Sequence, residues 1–134
     1  YRYSSAGAKA IDPFVENIIF REAHEKKITR KPVTITEIQR RLLLAMINEA
    51  CKVIYEGIAR SARDIDLILI HGYGFARWRG GLMYYADQLG ASHILSELET
   101  LCNEDPVFWM PSQLIVECAR TKENFGSYDG HSTG

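Results

Sequence analysis

The longest helical pattern in the chain runs from Thr36 to about Ala59, and it constrains the fold more than any other feature. Its apolar residues recur every four positions and are widened into a face by further neighbours: Ile38, Leu42, Met46, Ala50, Ile54, with Leu43, Ile47 and Ile58. A broad apolar stripe at helical spacing requires burial against several partners. The pattern therefore predicts the central helix of an all-α domain.

Five further segments are typical of helices. They are residues 12–26, 62–70, 82–88, 92–102 and 112–122. Asp12-Pro13 supplies a cap and a first helical residue, and Thr36 with Gln39 fits a capping box for the central helix. Asn48, inside the central helix, is favoured to face water over being buried with partners. No strand pairs are indicated, so we predict an all-α fold of about five or six helices around the central one.

The chain has 134 residues, which is the size of one domain. We divide it into an extended lead-in at residues 1–11, a helical domain at residues 12–123 and a flexible tail at residues 124–134, which is rich in Gly, Ser and Asp. The lead-in does not start with Met and is typical of a linker cut in its middle. We therefore expect a piece of a longer protein.

Charge and cysteine usage argue against several functions. Sixteen basic and seventeen acidic residues give a net charge of -1, which offers no basic field for nucleic acid. The nearly uncharged stretch from Leu67 to Ala76 is about half of a membrane span, so no span is predicted. Cys51, Cys102 and Cys118 form no CxxC and share no ligand spacing with histidine, so we expect buried apolar side chains and no metal site.

The stretch from Ile65 to Asp87, IDLILIHGYGFARWRGGLMYYAD, crowds four glycines between helical patterns. Glycines at this density mark turns with positive φ or close chain approach. A dinucleotide-binding turn fails, because Arg77 stands where the third glycine of GxGxxG belongs, and no P-loop motif is present. Arg77, Trp78 and Arg79 are open to three interpretations: an anionic-ligand site, a protein interface, or a core tryptophan between helix-capping arginines.

Catalytic motifs are scarce. The sequence has no GxSxG and no HExxH. Asp64 and Asp66 are two residues apart, which places them on different faces of a helix. Nothing in the sequence indicates that Glu49 and His71 meet as a dyad. We predict no catalytic residue in this chain.

Three runs in fixed order give the chain a family resemblance: RRLLLAMINEACKVIYEGIA, DIDLILIHGYGF and RWRGGLMYYADQLG. From about Thr36 to Phe125 it resembles the second C-terminal helical domain of the multifunctional fatty-acid β-oxidation enzymes, which join enoyl-CoA hydratase and 3-hydroxyacyl-CoA dehydrogenase. The resemblance implies an all-α domain similar to the C-terminal domain of 6-phosphogluconate dehydrogenase. It also implies a parent oxidoreductase of lipid metabolism that converts 3-hydroxyacyl-CoA to 3-ketoacyl-CoA with NAD.

The resemblance further implies that NAD binds an upstream Rossmann domain, and that a catalytic His–Glu pair lies there and in the first helical domain. This chain would then bind no cofactor, be inactive alone, and pack against those two domains. Alternatives are a homodimer of the fragment or a stand-alone acyl-CoA-binding module that uses Arg77 and Arg79. The end of the chain, residues 131–134, is no peroxisomal Ser-Lys-Leu signal, so bacterial cytoplasm is the default compartment, with mitochondrial or peroxisomal parents as alternatives.

Departures from the family pattern indicate a copy without catalytic groups. Arg40 and Arg41 stand where the first helical copy has Asn-Arg, so its active-site asparagine is absent, and Ala76 and Leu82 replace the prolines of the family's loop. Gly74, Gly80, Gly81 and Asp87 match the pattern. We predict that eight residues shape the loop or an interface without performing chemistry, Asp87 by stabilising the loop or a helix start. They are Gly72, Gly74, Arg77, Trp78, Arg79, Gly80, Gly81 and Asp87.

Overall fold

The computed structural model describes residues 2–3 and 9–128, and most of these residues are helical. The six α-helices in this part of the chain are α1 (Pro13–Glu25), α2 (Ile35–Tyr55), α3 (Ala62–Gly72), α4 (Leu82–Leu89), α5 (Ala91–Cys102) and α6 (Gln113–Thr121). Two 3-10 helices, Arg77–Arg79 and Phe125–Ser127, complete the helical elements of the described residues. The predicted all-α class is confirmed. Its similarity to the 6-phosphogluconate dehydrogenase domain stays a prediction.

A short strand pair lies in the lead-in, where no pairing was expected. Strands β1 (Arg2–Tyr3) and β2 (Lys9–Ala10) are antiparallel, with Arg2 opposite Ala10. Each strand has only two residues, which is shorter than the alternating run of four to eight residues that reveals a strand in a sequence. Residues 1 and 4–8 of the predicted lead-in lie outside the described residues.

The chain forms two compact units, Tyr1–Thr34 and Ile35–Gly134. The first unit holds α1, whose cap Asp12 accepts a hydrogen bond from the Phe14 N–H at 3.0 Å. None of the α1 side chains is buried. The domain predicted from residue 12 therefore begins at Ile35, because the first helix belongs to a separate unit.

The hydrophobic core of the second unit draws on every one of its α-helices. Helix α2 packs against α4 and α6, and α5 packs against α6. The largest fully buried side chains are Phe125, Ile47, Leu82, Met83, Ile94, Leu98, Leu114 and Ile115. Trp109 anchors the apolar connector before α6 in this core, and its ring meets that of Phe108 edge to face at 4.7 Å.

Only part of the apolar face predicted for α2 is buried. Ile47 and Ile54 lie in the core as expected, whereas Leu42 is 60% exposed and Ile58 follows the end of the helix. The N-terminal part of the predicted stripe, Ile38, Leu42 and Met46, is exposed, whereas its C-terminal part, Ala50 and Ile54, is buried. The helix also begins at Ile35, so Thr36 lies inside its first turn and not at the position of the predicted capping box.

Asn48 is buried, which contradicts the expectation that it faces water. Its Nδ2 donates to the carbonyl oxygen of Met110 at 2.9 Å, and its Oδ1 accepts from the Ser112 N–H at 2.8 Å. A buried amide is stable when its donor and acceptor are both satisfied. Asn48 therefore attaches the connector before α6 to the central helix.

The folded unit extends beyond the predicted boundary at residue 123. The 3-10 helix Phe125–Ser127 follows α6, and its Phe125 is only 1% exposed. The flexible tail predicted from residue 124 is therefore wrong for residues 124–128, because a buried aromatic ring holds this segment in the core. Residues 129–134 lie outside the described residues.

Candidate functional site

The glycine loop, residues 73–81, joins α3 to α4. Gly72 ends α3, and a Cβ atom added there would meet open space. The N–H groups of Tyr73 and Phe75 both donate to the Leu69 carbonyl oxygen, at 3.2 and 2.9 Å. Between them Gly74 has φ of 70°, which L-residues with a side chain rarely adopt. Gly74 thus lets the chain turn out of α3.

Gly80 and Gly81 are required by both conformation and space. Their φ angles are 78° and 120°. A Cβ atom at Gly80 would lie 2.6 Å from Cδ1 of Tyr84, and one at Gly81 would lie 2.6 Å from each carboxylate oxygen of Asp66. These glycines allow the chain to enter α4 directly beside α3.

Asp66 on α3 caps the start of α4 from outside that helix. Its carboxylate accepts hydrogen bonds from the Met83 N–H at 2.7 Å and from the Tyr84 N–H at 3.1 Å. Burial raises the pKa of Asp66, and these backbone hydrogen bonds oppose the rise. The carboxylate thereby satisfies amides that would otherwise lack partners at the positive end of α4.

The spacing of Asp64 and Asp66 does not predict the capping role of Asp66, because the amides it binds lie 17 and 18 residues further along the chain. A signal was present in the chain. Helix α4 starts after Gly81, a residue with no side-chain acceptor, and the helix has no cap of its own. The free amides at such a helix start need a hydrogen-bond acceptor from another part of the chain.

Asp87 on α4 holds the C-terminal segment and has no hydrogen bond to the glycine loop. Its Oδ1 accepts from the Phe125 N–H at 2.6 Å, and its Oδ2 accepts from the Gly126 N–H at 3.2 Å. These two amides begin the second 3-10 helix. The helix start that Asp87 stabilises is thus the one that places Phe125 in the core.

The arginines and the tryptophan of the loop lie at the surface. Trp78 is 80% exposed, so it does not fill the core, and Arg77 is exposed beside it. The guanidinium carbon of Arg79 lies 4.6 Å from the Trp78 ring centroid and 4.7 Å from that of Tyr85. Arg79 therefore stacks on two aromatic rings, which leaves a ligand site or an interface as the open interpretations.

Arg40 and Arg41 form an ion-pair network between α2 and the α5 region. Arg40 binds Glu37 and Glu97, while Arg41 binds Glu37 at 2.6 Å and Glu104 at 2.7 Å. Hydrogen bonds from Arg40 and Arg41 lower the pKa of Glu37 to about 2. Arg40 and Arg41 thus make structural contacts that connect α2 to the α5 region.

The buried thiols are poorly reactive. Cys51 and Cys118 are buried, as predicted, and burial raises the pKa of Cys118 to about 11 and that of Cys51 further. Cys102 is half-buried, with Sγ 3.2 Å from the Trp109 carbonyl oxygen. Within residues 2–3 and 9–128, no three His, Cys, Asp or Glu side chains are grouped so that they could hold a metal ion.

Glu49 and His71 do not form a dyad. Both are exposed, and no hydrogen bond joins them in the described part of the chain. Glu49 instead lies 3.8 Å from the Lys52 ammonium one turn along α2. None of the helices in the described ranges is both long and apolar enough to cross a membrane.

An apolar face lies exposed on α2 and α3. We define this face by Ile38, Leu42, Met46 and Ile68, of which Leu42 and Ile68 are 60% and 57% exposed. Met46 and Ile68 also line a groove of about 280 Å³ between the two helices, whose other lining side chains are apolar except for Glu49. A continuous exposed apolar surface of this kind marks an interaction site.

Sequence comparison places the chain beside proteins of fatty-acid β-oxidation. It is 35% identical over 108 residues to the glyoxysomal fatty acid beta-oxidation multifunctional protein MFP-a of Cucumis sativus, covering 81% of this chain and 15% of that protein. It is 33% identical over 124 residues to the peroxisomal fatty acid beta-oxidation multifunctional protein of Oryza sativa, covering 90% of this chain and 17% of the relative.

A human relative gives the same result. The peroxisomal bifunctional enzyme of Homo sapiens is 35% identical over 95 residues, which cover 71% of this chain and 13% of that enzyme. No protein-family model matches the chain. The chain thus spans between 13% and 17% of the length of these relatives, and the matched segment lies in their C-terminal region.

Proposed function

The chain is homologous to a C-terminal segment of the multifunctional fatty-acid β-oxidation proteins, and from this relationship we propose that it is a helical scaffold domain of a 3-hydroxyacyl-CoA dehydrogenase. In the longer protein the reaction is the oxidation of 3-hydroxyacyl-CoA to 3-ketoacyl-CoA. NAD is held by a Rossmann domain elsewhere in that protein, which also carries enoyl-CoA hydratase activity. The names of the relatives support the assignment to β-oxidation. The use of NAD and the division of activities between domains are part of this proposal and go beyond those names.

The observation that carries the scaffold role is the use of two helix carboxylates, Asp66 on α3 and Asp87 on α4. Asp66 binds the amides at the start of α4, and Asp87 binds those at the start of the second 3-10 helix. A carboxylate whose oxygens both accept backbone hydrogen bonds is committed to structure and poorly placed to take a proton from a substrate. These two carboxylates therefore stabilise helix starts.

The ion pairs of α2 support the same role. In the catalytic copy the first positions of this helix supply an active-site asparagine, whereas Arg40 and Arg41 here bind Glu97 and Glu104. An arginine engaged in two ion pairs is held in place and neutralised. This part of α2 therefore fastens α5 to the domain.

The apolar face on α2 and α3 supports a partner within the longer protein. Leu42 and Ile68 together with their neighbours expose hydrocarbon that other domains would cover, and the relatives contain about six times as much chain as the matched segment. Burial of such a face is favourable at about 25 cal/mol per Å². We assign it to the first helical domain and the Rossmann domain, and a homodimer of the isolated chain would use the same face.

We infer the cellular compartment of the longer protein from the names of the relatives. The cucumber, rice and human proteins are glyoxysomal or peroxisomal by name. These names favour a peroxisomal parent over the bacterial cytoplasm that served as the default from sequence. A fluorescent fusion of the longer protein, imaged beside a peroxisomal marker, tests this assignment.

A steady-state assay tests the catalytic part of the proposal. The chain is mixed with NADH and acetoacetyl-CoA, and the loss of NADH absorbance is followed, with an intact 3-hydroxyacyl-CoA dehydrogenase as positive control. We expect no oxidation above the blank without protein. Turnover at enzymatic rates would show that catalytic groups lie in this chain and would overturn the scaffold role.

A further inference from the structure

A cavity of about 310 Å³ opens between α2, α4 and α5, outside the apolar face. Its floor is hydrocarbon, supplied by Leu43, Leu44, Ile47 and Leu89. Leu44 and Ile47 are buried and the other two are half-buried, so the floor reaches into the core of the unit. This volume is at the lower end of the range for small-molecule sites.

Among the described residues that line this cavity, one arginine has no carboxylate partner. Arg40 and Glu97 both line the cavity and bind each other, so their charges cancel. Arg79 also lines it, and among the described residues Arg79 makes no hydrogen bond or ion pair. Among the described residues, the cavity therefore combines an apolar floor, the polar side chains of Thr36, Gln39, Tyr85 and His93, and Arg79, whose charge has no carboxylate partner.

Arg79 is oriented before any ligand arrives. Its guanidinium stacks on the rings of Trp78 and Tyr85, at 4.6 and 4.7 Å, which restricts the rotation of a long side chain. Stacking engages the faces of the guanidinium and leaves its N–H edges available for a bidentate acceptor. Fixing the group in advance reduces the entropy that binding costs.

We propose that this cavity binds a small monocarboxylate with a short hydrocarbon tail. The carboxylate accepts hydrogen bonds from Arg79, and the tail lies over the floor formed by Leu43, Leu44, Ile47 and Leu89. No covalent step is involved. This site goes beyond the scaffold role and does not rest on it, because the cavity, its apolar floor and Arg79 are all supplied by this chain.

Size and charge together select this class of ligand. A cavity of about 310 Å³ is at the lower end of the range for small-molecule sites, which suits a short fatty acid better than the much larger coenzyme A. A phosphate or diphosphate carries two or more negative charges and favours compensating cations, whereas Arg79 is the one arginine of the described lining whose charge has no carboxylate partner.

Isothermal titration calorimetry of the 134-residue chain with hexanoate tests the site, with hexanol and inorganic phosphate as comparison ligands. We expect saturable binding of hexanoate, about 10- to 100-fold weaker binding of hexanol, and no binding of phosphate, because a charge-assisted bidentate pair contributes about that factor. Equal affinity for hexanol and hexanoate, no binding of hexanoate, or preference for phosphate would overturn the proposal.

Two arginine variants locate the ligand. Arg79→Gln should weaken hexanoate binding by about 10- to 100-fold, while Arg77→Gln should leave it unchanged, because Arg77 lies in the same 3-10 helix but does not line the cavity. Circular dichroism shows whether each variant folds. If Arg79→Gln does not fold, Arg79→Lys replaces it, and its affinity for hexanoate is expected to lie between that of the wild type and that expected of Arg79→Gln. Equal loss in the Arg77 and Arg79 variants would refute the assignment. Whether the longer protein has dehydrogenase activity does not change the interpretation of these binding measurements.

Discussion

The carboxylate of Asp66 occupies the space into which a side chain at Gly81 would project. A Cβ atom at Gly81 would lie 2.6 Å from both of its oxygens, and the same oxygens bind the amides of Met83 and Tyr84. The glycine and the aspartate therefore act as a pair. Gly81 leaves room for the carboxylate, and Asp66 supplies the cap that α4 lacks.

Gly81→Ala should lower the free energy of unfolding by about 2–6 kcal/mol. Its φ of 120° strains any side chain, at about 1–3 kcal/mol, and displacement of Asp66 adds a similar cost. The measurement is urea unfolding followed by circular dichroism. Gly74→Ala is the matched control, because Gly74 has φ of 70° with open space around it, and it should lose only about 1–2 kcal/mol. Equal losses in the two variants would contradict the pairing of Gly81 with Asp66.

Glu37→Gln should reduce the sensitivity of the fold to acid. The pKa of Glu37 is lowered from 4.5 to about 2, so its contribution is present above the unfolded pKa and is lost as the pH falls from about 4.5 towards 2. We expect the difference in urea midpoint between pH 6 and pH 3 to be smaller in the variant than in the wild type. Glu56→Gln, at an exposed carboxylate beyond the end of α2, is the control and should keep the wild-type difference. An unchanged difference in Glu37→Gln would show that its ion pairs do not stabilise the fold.

Removal of residues 124–134 should destabilise the second unit by about 3–5 kcal/mol, because Phe125 leaves the core. Truncation after Tyr128 should cost much less, since it keeps Phe125 and the amides bound by Asp87. Urea unfolding of the two truncated chains compares them directly. If both retain wild-type stability, the segment is the flexible tail that the sequence predicted.

Ala76→Pro should stabilise the loop by about 0.4–1 kcal/mol. Ala76 has φ of -57°, close to the angle that proline fixes, and a proline there reduces the freedom of the unfolded chain. Leu82→Pro, at the second position where the related loop carries proline, should instead destabilise, because the Leu82 side chain is buried in this core. Thermal unfolding reports both changes. A lower melting temperature for Ala76→Pro would show that the loop needs the N–H or the freedom of alanine there.

The helices could be predicted from the sequence because their signals are local. Asp12 and Ser61 cap the helices that follow them, and Gly90 stands at the end of α4, each within a few residues of the pattern it bounds. The glycine loop was located for the same reason, since positive φ at Gly74 and Gly80 is a property of the backbone at those residues.

The roles of the polar side chains could not be predicted, because their partners are distant in the chain. Asn48 binds Met110, 62 positions away, and Asp87 binds Phe125, 38 positions away. Asp66 reaches Met83 across 17 positions. A pattern of single residues does not specify such pairs, whose formation depends on how the helices pack. The same holds for Leu42, whose exposure depends on where along α2 the neighbouring helices pack.

The most direct test of the scaffold role adds this chain in trans to the remainder of its longer protein and measures 3-hydroxyacyl-CoA dehydrogenase activity. We predict that the wild-type chain restores activity to the truncated protein. Leu42→Asp with Ile68→Asp should abolish the effect, because two carboxylates on the apolar face prevent docking. Val116→Asp is the control, at an exposed apolar residue on α6 outside that face, and it should restore activity like the wild type. Restoration by the Leu42/Ile68 double variant, or no restoration by the wild type, would contradict the account.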